Sequence, residues 1–313
     1  MKIALLGTGF GQAHAAVFAT RDDVDVIVFG RTPAALERFH DSYGFETTTD
    51  LDSLYDDPTI DLIDICVPTA LHAEHVLRGL AAGKDVLCEL PLALTMTDAG
   101  RVAEAAAASD RQVFVDMFDR FSPVNQILFD AARSGTYGRL LELELELRTA
   151  LRWPGYDLGL DSIALDVMHG DLDIVSRVLG VPNSLSATGT PGAQRGSAAH
   201  AILTYPGAVA RVSACSLMPD PYGSRGGFRA TFTDGVLEHR FGDGQDADSA
   251  VIEYTGTGTR SVNADGPDSY TAMIDHVLAC LRGEASNEIP PSSVLDTLAL
   301  TLDIHEAIRQ EPR

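Results

Sequence analysis

Residues 2–20, with the sequence KIALLGTGFGQAHAAVFAT, decide the fold of this chain. An apolar run at residues 3–6 is followed by Gly7, Gly9 and Gly11 and then by an alanine-rich segment with helical spacing. This order predicts a strand, a tight turn and a helix. Glycine allows positive φ and lets backbone N–H groups approach a ligand, and a helix N-terminus favours an anion, so the turn suits a pyrophosphate.

The spacing of these glycines departs from the dinucleotide fingerprint G-x-G-x-x-G. The third glycine comes one residue early, at Gly11, and Gln12 occupies the usual third position. Closely spaced glycines also occur in ordinary turns, so the motif alone leaves nucleotide binding and a plain turn open. Its place directly after a strand-like run, in a chain that continues with alternating strands and helices, favours a nucleotide-binding βαβ unit.

Length and composition narrow the class of protein. The chain of 313 residues is long enough for two domains. It has no apolar run of about 20 residues and does not begin like a secretion signal, which predicts a cytoplasmic protein. The net charge of −22 and the pI of about 4.6 argue against nucleic acid or an anionic membrane as a partner. Four scattered cysteines lack metal-ligand spacing, so we expect buried thiols and no metal site.

The end of the second predicted strand, Asp25–Phe29, bears on the choice of cofactor. An acidic residue usually stands there for the adenosine ribose hydroxyls, but here Gly30, Arg31 and Thr32 follow the strand. Gly30 leaves room and Arg31 with Thr32 can hold a 2′-phosphate, which favours NADP over NAD. The alternative is that Arg31 is exposed at a strand end or lies over the adenine of either cofactor.

The remaining patterns predict two different sheets. Over the first 120 residues, five strand signals alternate with helices, which predicts a doubly wound parallel sheet. After residue 120, period-two alternation predicts a large open sheet, mostly antiparallel, with helices near 164–179, 269–282 and 293–309. The alternating segments are residues 139–148, 184–190, 200–205, 208–214, 229–232 and 251–254.

Motifs along most of the chain resemble, in the same order, those of the Gfo/Idh/MocA oxidoreductases, which include glucose–fructose oxidoreductase and inositol dehydrogenases. The matching stretches are residues 7–14, 67–69 with His72, 82–86, Glu89-x-Pro91, 120–123, 134–138, and Asp166 with 171–173. The resemblance implies an N-terminal Rossmann domain, residues 1–120, that binds NAD(P). It also implies a C-terminal α/β domain, residues 121–313, for substrate binding and for assembly into a homodimer or homotetramer.

The resemblance, together with the glycine turn, gives a set of candidate cofactor contacts. They are Gly7, Gly9, Phe10, Gly11, Gln12, Arg31, Thr32, Pro68, Thr69, His72 and Glu89. We expect His72 to support the cofactor loop. Glu89 either lies beside the nicotinamide or is a strand-end glutamate held by backbone N–H groups.

The lysine on which this family relies is missing. In the family, a Glu-Lys-Pro lysine handles the hydroxyl proton with an Asp and a His from the helix near 164–179, but here the motif contains Leu90. Leucine can neither donate nor accept a proton. The histidine is shifted too, because Gly170 stands four residues after Asp166 and His169 stands three after it. We therefore expect Asp166 and His169 to carry proton transfer, although His169 fits a packed structural histidine equally well.

Four further residues are candidates for contacting a sugar: Arg120, Trp153, Tyr156 and Asp173. The sequence thus predicts an NAD(P)-dependent oxidoreductase acting on a sugar, a cyclitol or a related hydroxy or keto compound. Because of Leu90, two alternatives stay open. One is an enzyme that uses NAD without net redox change, of the glycosidase or elimination type, and the other is a non-catalytic sensor of cofactor or ligand.

Overall fold

The structure, a computed structural model, describes residues 1–150, 158–242 and 250–310. Its contacts divide the chain into two compact units. The first consists of Met1–Phe118 and Asp268–Leu295, and the second of Asp119–Pro267 and Asp296–Arg313. Each unit thus contains two separate stretches of chain, whereas the sequence suggests one continuous stretch for each.

Strands and helices alternate in the first part of the chain, and strands dominate later. The strands are β1 Lys2–Leu6, β2 Asp25–Phe29, β3 Glu46–Thr48, β4 Leu62–Ile65, β5 Asp85–Cys88, β6 Val113–Val115, β7 Leu140–Ala150, β8 Ser184–Pro191, β9 Ser197–Tyr205, β10 Ala208–Met218, β11 Ser224–Phe232, β12 Gly235–Phe241, β13 Ala250–Thr255 and β14 Gly258–Asn263. The α-helices are α1 Gly11–Phe18, α2 Pro33–Tyr43, α3 Leu51–Asp56, α4 His72–Ala81, α5 Met96–Ala107, α6 Pro123–Ser134, α7 His169–Leu179, α8 Ser269–Leu281 and α9 Leu295–Gln310.

The first unit is built on a parallel sheet. In the residues that the structure describes, this sheet has six strands in the order β3-β2-β1-β4-β5-β6. The order reverses between β1 and β4, and in such sheets ligands bind at the carboxyl ends of the strands beside the reversal. The central strands are apolar and buried on both faces, as helices on both sides require. The predicted doubly wound parallel sheet is confirmed.

The second unit is built on a larger sheet that is antiparallel except for one pair. Its described strands follow the order β14-β13-β12-β11-β7-β10-β9-β8, and β7 and β10 run parallel. Along β7, Leu143 and Leu145 are buried while Glu144 and Glu146 point to the opposite face, as the period-two pattern predicts. The open, mostly antiparallel sheet is therefore confirmed.

One predicted helix has a more complex form. Residues 164–179 start with a π-helical turn at Ala164–Met168, and only then does α7 begin at His169. Side chains around Asp166 therefore do not follow regular α-helical spacing, since a π turn has more residues than an α turn. Across the described part of the chain, no helix combines the length and the apolar character that crossing a bilayer requires.

Candidate functional site

The glycine turn between β1 and α1 has three glycines with three different surroundings. Gly7 has φ of +119°, and a Cβ there would lie 2.3 Å from the carbonyl oxygen of Cys66. Gly9 has no described atom within 4 Å of its would-be Cβ, so its backbone borders open space. At Gly11 a Cβ would lie 3.3 Å from Leu5 Cδ1. The turn thus offers a tight bend, an open backbone and close helix–strand packing, the three roles that dinucleotide binding asks of glycine.

The early third glycine performs the packing role. Gly11 begins α1 and packs against Leu5 of β1, so Gln12 does not need to be a glycine. The exposed Gln12 side chain instead donates from Nε2 to the carbonyl oxygen of Thr8 at 3.2 Å. Phe10 is 37% exposed at the tip of the turn. The departure from the usual spacing therefore preserves the close packing of α1 against β1.

The end of β2 lies beside this turn. The Gly7 N–H donates to the carbonyl oxygen of Phe29 at 3.0 Å. Next to it, Gly30 is held by packing, because a Cβ would come within 2.9 Å of Leu36 Cδ2. Arg31 and Thr32 are exposed, and among the described residues Arg31 has no ion-pair partner. The Arg31 guanidinium, exposed and without an ion-pair partner among the described residues, thus follows the strand that hydrogen-bonds to the glycine turn.

A buried histidine connects two further loops of this unit. His72 is 1% exposed, with Nδ1 2.9 Å from the carbonyl oxygen of Pro91 and Nε2 2.8 Å from that of Val67. Burial lowers the pKa of His72, so the imidazole is neutral near pH 7. Pro68 and Thr69 follow Val67 and lead into a helical turn at Thr69–Leu71. His72 therefore lies between the loop after β4 and the loop after β5, and its neutral ring donates to one of the two carbonyl oxygens.

A cluster of buried ionisable groups lies where α1 meets the ends of the central strands. His14 is fully buried, with Nδ1 2.8 Å from Asp64 Oδ2 and Nε2 2.8 Å from Asp116 Oδ2. Glu89 Oε1 lies 3.9 Å from His14 Nε2, and Cys66 Sγ lies 3.6 Å from Nδ1. The sequence analysis assigns no role to Asp64 or Asp116. The sequence does contain a signal for both residues, because each carboxyl group lies in an otherwise apolar strand segment and a buried charge needs a partner.

Leu90, at the position of the missing lysine, contributes only a backbone contact. The N–H of Leu90 donates to Glu89 Oε2 at 2.9 Å. The nearest lysine in sequence is unavailable, because Lys84 Nζ donates to the carbonyl oxygens of Asp57 at 2.6 Å and Ile60 at 2.9 Å. Lys84 therefore anchors a turn and does not substitute for the missing amine.

The second unit brings two predicted substrate residues into a buried ion pair. Arg120 donates to Asp173 through two bonds of 2.7 Å, and the two residues are 4% and 1% exposed. Thr297 of α9 adds a hydrogen bond of 2.9 Å to Asp173 Oδ1. This bidentate geometry fixes both side chains. Trp153 and Tyr156, the other two candidates, lie outside the described residues.

His169 is held in a defined orientation by α9. Its Nδ1 lies 2.8 Å from Thr301 Oγ1, and the Thr301 hydroxyl donates to the carbonyl oxygen of Thr297 at 2.8 Å. Because that hydroxyl proton is already used, Thr301 accepts from His169 Nδ1–H. His169 Nε2 is then the atom with the free lone pair, and it is buried without a hydrogen-bond partner in the described structure. Burial lowers the pKa of His169 to about 4, so the ring is neutral at pH 7.

Three carboxyl groups surround the start of α7. Asp166 lies in the π-helical turn, and partial burial raises its pKa. Burial also raises the pKa of Asp171, and the charge of Asp119 raises it further. A Cβ on Gly170 would lie 2.7 Å from Asp119 Oδ2, so the glycine leaves room for that carboxylate. Asp166 and His169 thus lie three positions apart, at a turn type that is frequent at functional sites.

Comparison with known proteins gives one family and several relatives. Residues 1–117 match the sequence profile GFO_IDH_MocA, "Oxidoreductase family, NAD-binding Rossmann fold". The D-glucoside 3-dehydrogenase of Escherichia coli is 25% identical over 198 residues, 58% of this chain and 55% of that protein. The myo-inositol 2-dehydrogenase of Thermotoga maritima is 28% identical over 184 residues, with the same two shares. The chain thus spans about half the length of these curated relatives.

Solved structures extend the likeness to the whole chain. An oxidoreductase from Agrobacterium radiobacter, crystallised with NAD+, L-tartaric acid and magnesium, has a TM-score of 0.85 at 19% identity. The match covers 100% of this chain and 97% of that one. At this identity the likeness shows the fold. Residues 1–117 thus resemble an oxidoreductase family with an NAD-binding Rossmann fold, and the whole chain shares its fold with solved oxidoreductases.

Proposed function

We propose that this protein is an NAD(P)-dependent oxidoreductase that acts on a sugar, a cyclitol or a related hydroxy or keto compound. The observation that carries the proposal is the open backbone at Gly9, at the start of α1, within residues that match an NAD-binding oxidoreductase family. The relatives named as a glucoside dehydrogenase and an inositol dehydrogenase support the substrate class.

The residues of the first unit fit a dinucleotide. The glycine turn would hold the pyrophosphate through its backbone, and Pro68, Thr69 and Glu89 would border the nicotinamide end. Arg31, exposed and without an ion-pair partner among the described residues, would hold a 2′-phosphate with Thr32, so we propose NADP as the preferred form. When bound, the nicotinamide would supply the hydride acceptor or donor.

Proton handling in the second unit falls to Asp166 and His169. His169 is a neutral imidazole whose Nδ1–H is engaged with Thr301, so Nε2 can accept a proton. Asp166 has a raised pKa, which brings its carboxyl group closer to the working pH of an acid or base. Arg120 and Asp173 are locked to each other and almost fully buried, so they would position the residues around the substrate without binding its hydroxyl groups themselves.

We also propose that the protein is cytoplasmic and assembles as a homodimer or homotetramer. The outer face of the second sheet would form the contact. On that face Arg229 pairs with Glu144 at 2.8 Å, and Arg240 pairs with Glu238 at 2.8 Å. Light scattering of the purified protein gives the subunit number directly, and a monomer at all concentrations contradicts this part of the proposal.

The test of the function is a turnover assay with a matched control. The purified protein is mixed with NADPH or NADH and a panel of keto sugars, or with the oxidised cofactors and D-glucosides and inositols, while the absorbance of the reduced nicotinamide is followed. We expect turnover that is lost in Asp166→Asn and retained in Asp303→Asn, an exposed aspartate on α9. Tight cofactor binding without turnover of any substrate, or release of an aglycone without net change in the nicotinamide, contradicts the proposal.

A further inference from the structure

The buried cluster around His14 lies at the reversal point of the parallel sheet. Asp64 is in β4, Glu89 directly follows β5 and Asp116 directly follows β6, while His14 is on α1. The carboxyl ends of parallel strands share one edge of a sheet, and cofactor crevices form there. The cluster therefore sits beneath the glycine turn, at the edge where the proposed cofactor would bind.

The charges in this cluster do not balance without an added proton. It contains three carboxyl groups and one imidazole, and each of these residues is at most 7% exposed. Both nitrogens of His14 face carboxylate oxygens at 2.8 Å, and only an imidazolium donates from both. One positive charge cannot neutralise three buried carboxylates, and an uncompensated buried charge is strongly destabilising.

Two carboxyl oxygens of this cluster have no hydrogen-bond partner within the described ranges, which indicates where the added proton lies. Glu89 Oε1 and Asp116 Oδ1 are buried, and neither has a hydrogen-bond partner in the described part of the structure. The other oxygens of these two carboxyl groups are engaged, since Glu89 Oε2 accepts from the Leu90 N–H and Asp116 Oδ2 faces His14. Buried polar atoms are almost always paired, so two unpaired carboxylate oxygens in one cluster indicate that a carboxyl group is protonated.

We propose that Glu89 holds a proton beside the His14 imidazolium, which is paired with Asp64 and Asp116, and that this carboxyl group is a buried acid–base site of the first unit. It is a second proton-holding group, in addition to Asp166 and His169 of the second unit. The inference rests on the proposed function for its role, because a proton-holding group beside the cofactor crevice matters only if the crevice binds one. In the proton step, the O–H bond of Glu89 breaks, the carboxylate stays behind, and the proton passes to a solvent or substrate oxygen.

Every neighbouring group agrees with this assignment. Burial, together with the charge of Asp116, raises the pKa of Glu89 to about 8. Burial opposes a charge on His14, but the carboxylates of Asp64 and Asp116 raise its pKa well above the ordinary value. The thiols of Cys66 and Cys88 stay protonated, since burial raises the pKa of both. From α8, the Tyr270 ring packs against His14 with 5.8 Å between centroids.

The proposal also predicts that the protonation of Glu89 depends on the charge of the bound nicotinamide. The positive ring of an oxidised nicotinamide favours an ionised Glu89, whereas the uncharged reduced ring does not. We therefore expect proton release on binding of the oxidised form and less release on binding of the reduced form. Calorimetry in two buffers with different ionisation enthalpies measures the number of protons released. Equal release by the two forms overturns this link.

The main test is spectroscopic and needs neither substrate nor turnover. Infrared spectra at pH 7, recorded in an Asp171→Asn background because the buried Asp171 carboxyl group also has a raised pKa, should show the carbonyl stretch of a protonated carboxyl group, and this band should titrate away near pH 8. We expect the band to be lost in Glu89→Gln and retained in Glu104→Gln, an exposed glutamate on α5. Absence of the band, or its persistence in both Glu89→Gln and Asp116→Asn, overturns the proposal.

A second measurement on the unaltered protein guards against variants that do not fold. Nitrogen NMR of labelled histidine should show both ring nitrogens of His14 protonated at pH 8, and a neutral ring at pH 7 overturns the assignment. These readouts separate the two proposals. A protein with the band but without turnover loses only the proposed enzymatic function, and an active enzyme without the band loses only the proton site.

Discussion

Nδ1 of His169 lies 2.8 Å from the hydroxyl oxygen of Thr301, and this one contact determines which nitrogen of the imidazole can act as a base. The Thr301 hydroxyl donates to Thr297 and must therefore accept from His169. Thr301 is thus a positioning residue on α9 for the candidate base on α7. The pairing joins residues that are 132 positions apart in sequence, so no local pattern reveals it.

Replacing Thr301 with valine tests this relationship. The substitution removes the acceptor for Nδ1–H, so the proton can move to Nε2 and block the base. We expect kcat to fall by about 100-fold, the lower end of general base catalysis, with little change in KM. Thr301→Ser should restore activity and Thr259→Val, at an exposed position of β14, should have no effect. Nitrogen NMR of His169 should show the change of tautomer, and an unchanged tautomer in Thr301→Val contradicts the assignment.

Arg31→Ala tests cofactor choice. Losing charge-assisted hydrogen bonds of about 1.5–3 kcal/mol should weaken NADPH binding by roughly 10- to 100-fold and leave NADH binding unchanged. Arg38→Ala, an exposed arginine on α2, serves as the control. Dissociation constants from nicotinamide fluorescence measure both. An equal effect on the two cofactors would show that Arg31 lies over the adenine instead.

The first two glycines of the turn should respond differently to alanine. Gly9→Ala places its Cβ in open space, so we expect a folded protein with weakened cofactor binding. Gly7→Ala forces a Cβ against the Cys66 carbonyl at φ of +119°, which should lower the free energy of unfolding by about 2 kcal/mol or more. Chemical denaturation and cofactor titration of both variants separate the two effects, and equal cofactor affinity in Gly9→Ala and the parent contradicts the pyrophosphate role.

The buried pair in the second unit should contribute far more to stability than an exposed pair. Arg120→Leu leaves the carboxylate of Asp173 buried without its partner, so we expect a loss of about 3–5 kcal/mol in the free energy of unfolding. Arg133→Leu breaks the exposed Arg133–Asp130 pair, whose side chains are 77% and 63% exposed, and should cost less than about 1 kcal/mol. Urea denaturation compares the two. Similar losses would mean that Asp173 is reached by solvent.

The dependence of stability on pH follows from Glu89. Its pKa rises from 4.5 to about 8 on folding, so between these values the folded protein holds a proton that the unfolded chain has released. The contribution of Glu89 to the free energy of unfolding is thus fully present below about pH 4.5 and declines as the pH rises towards 8. The raised pKa of His14 acts in the same direction. Denaturation at several pH values should show a smaller alkaline loss for Glu89→Gln than for the parent, and identical slopes would contradict the raised pKa.

Much of the fold could be predicted because its signals are local. The apolar runs before Gly7 and after Asp61 become β1 and β4, and the alternating residues 139–148 become most of β7. The short strand β3 gave no such signal, since its sequence ETT has no apolar residue. Strands β12 and β14 and the helices α3 and α6 were also not predicted.

The candidate site was predicted less completely, because its contacts join distant segments. Arg120 and Asp173 were selected as separate sugar contacts, and only the structure shows them as a pair 53 positions apart. His14 and Asp116 are 102 positions apart. Residue type indicates that a buried charge needs a partner, but not which partner the topology supplies.

The return of residues 268–295 to the first unit has a consequence for synthesis. Near its end this segment hydrogen-bonds to β6, where the Val115 N–H donates to the carbonyl oxygen of Ile289 at 2.8 Å, and Asp275 of α8 pairs with Arg21. A nascent chain that has emerged only as far as residue 118 lacks these partners. The first unit therefore cannot complete its folding until residues 268–295 have been synthesised. A fragment ending there should accordingly depend on chaperones, and joining residues 268–295 to it by a short linker is the rational way to produce the unit alone.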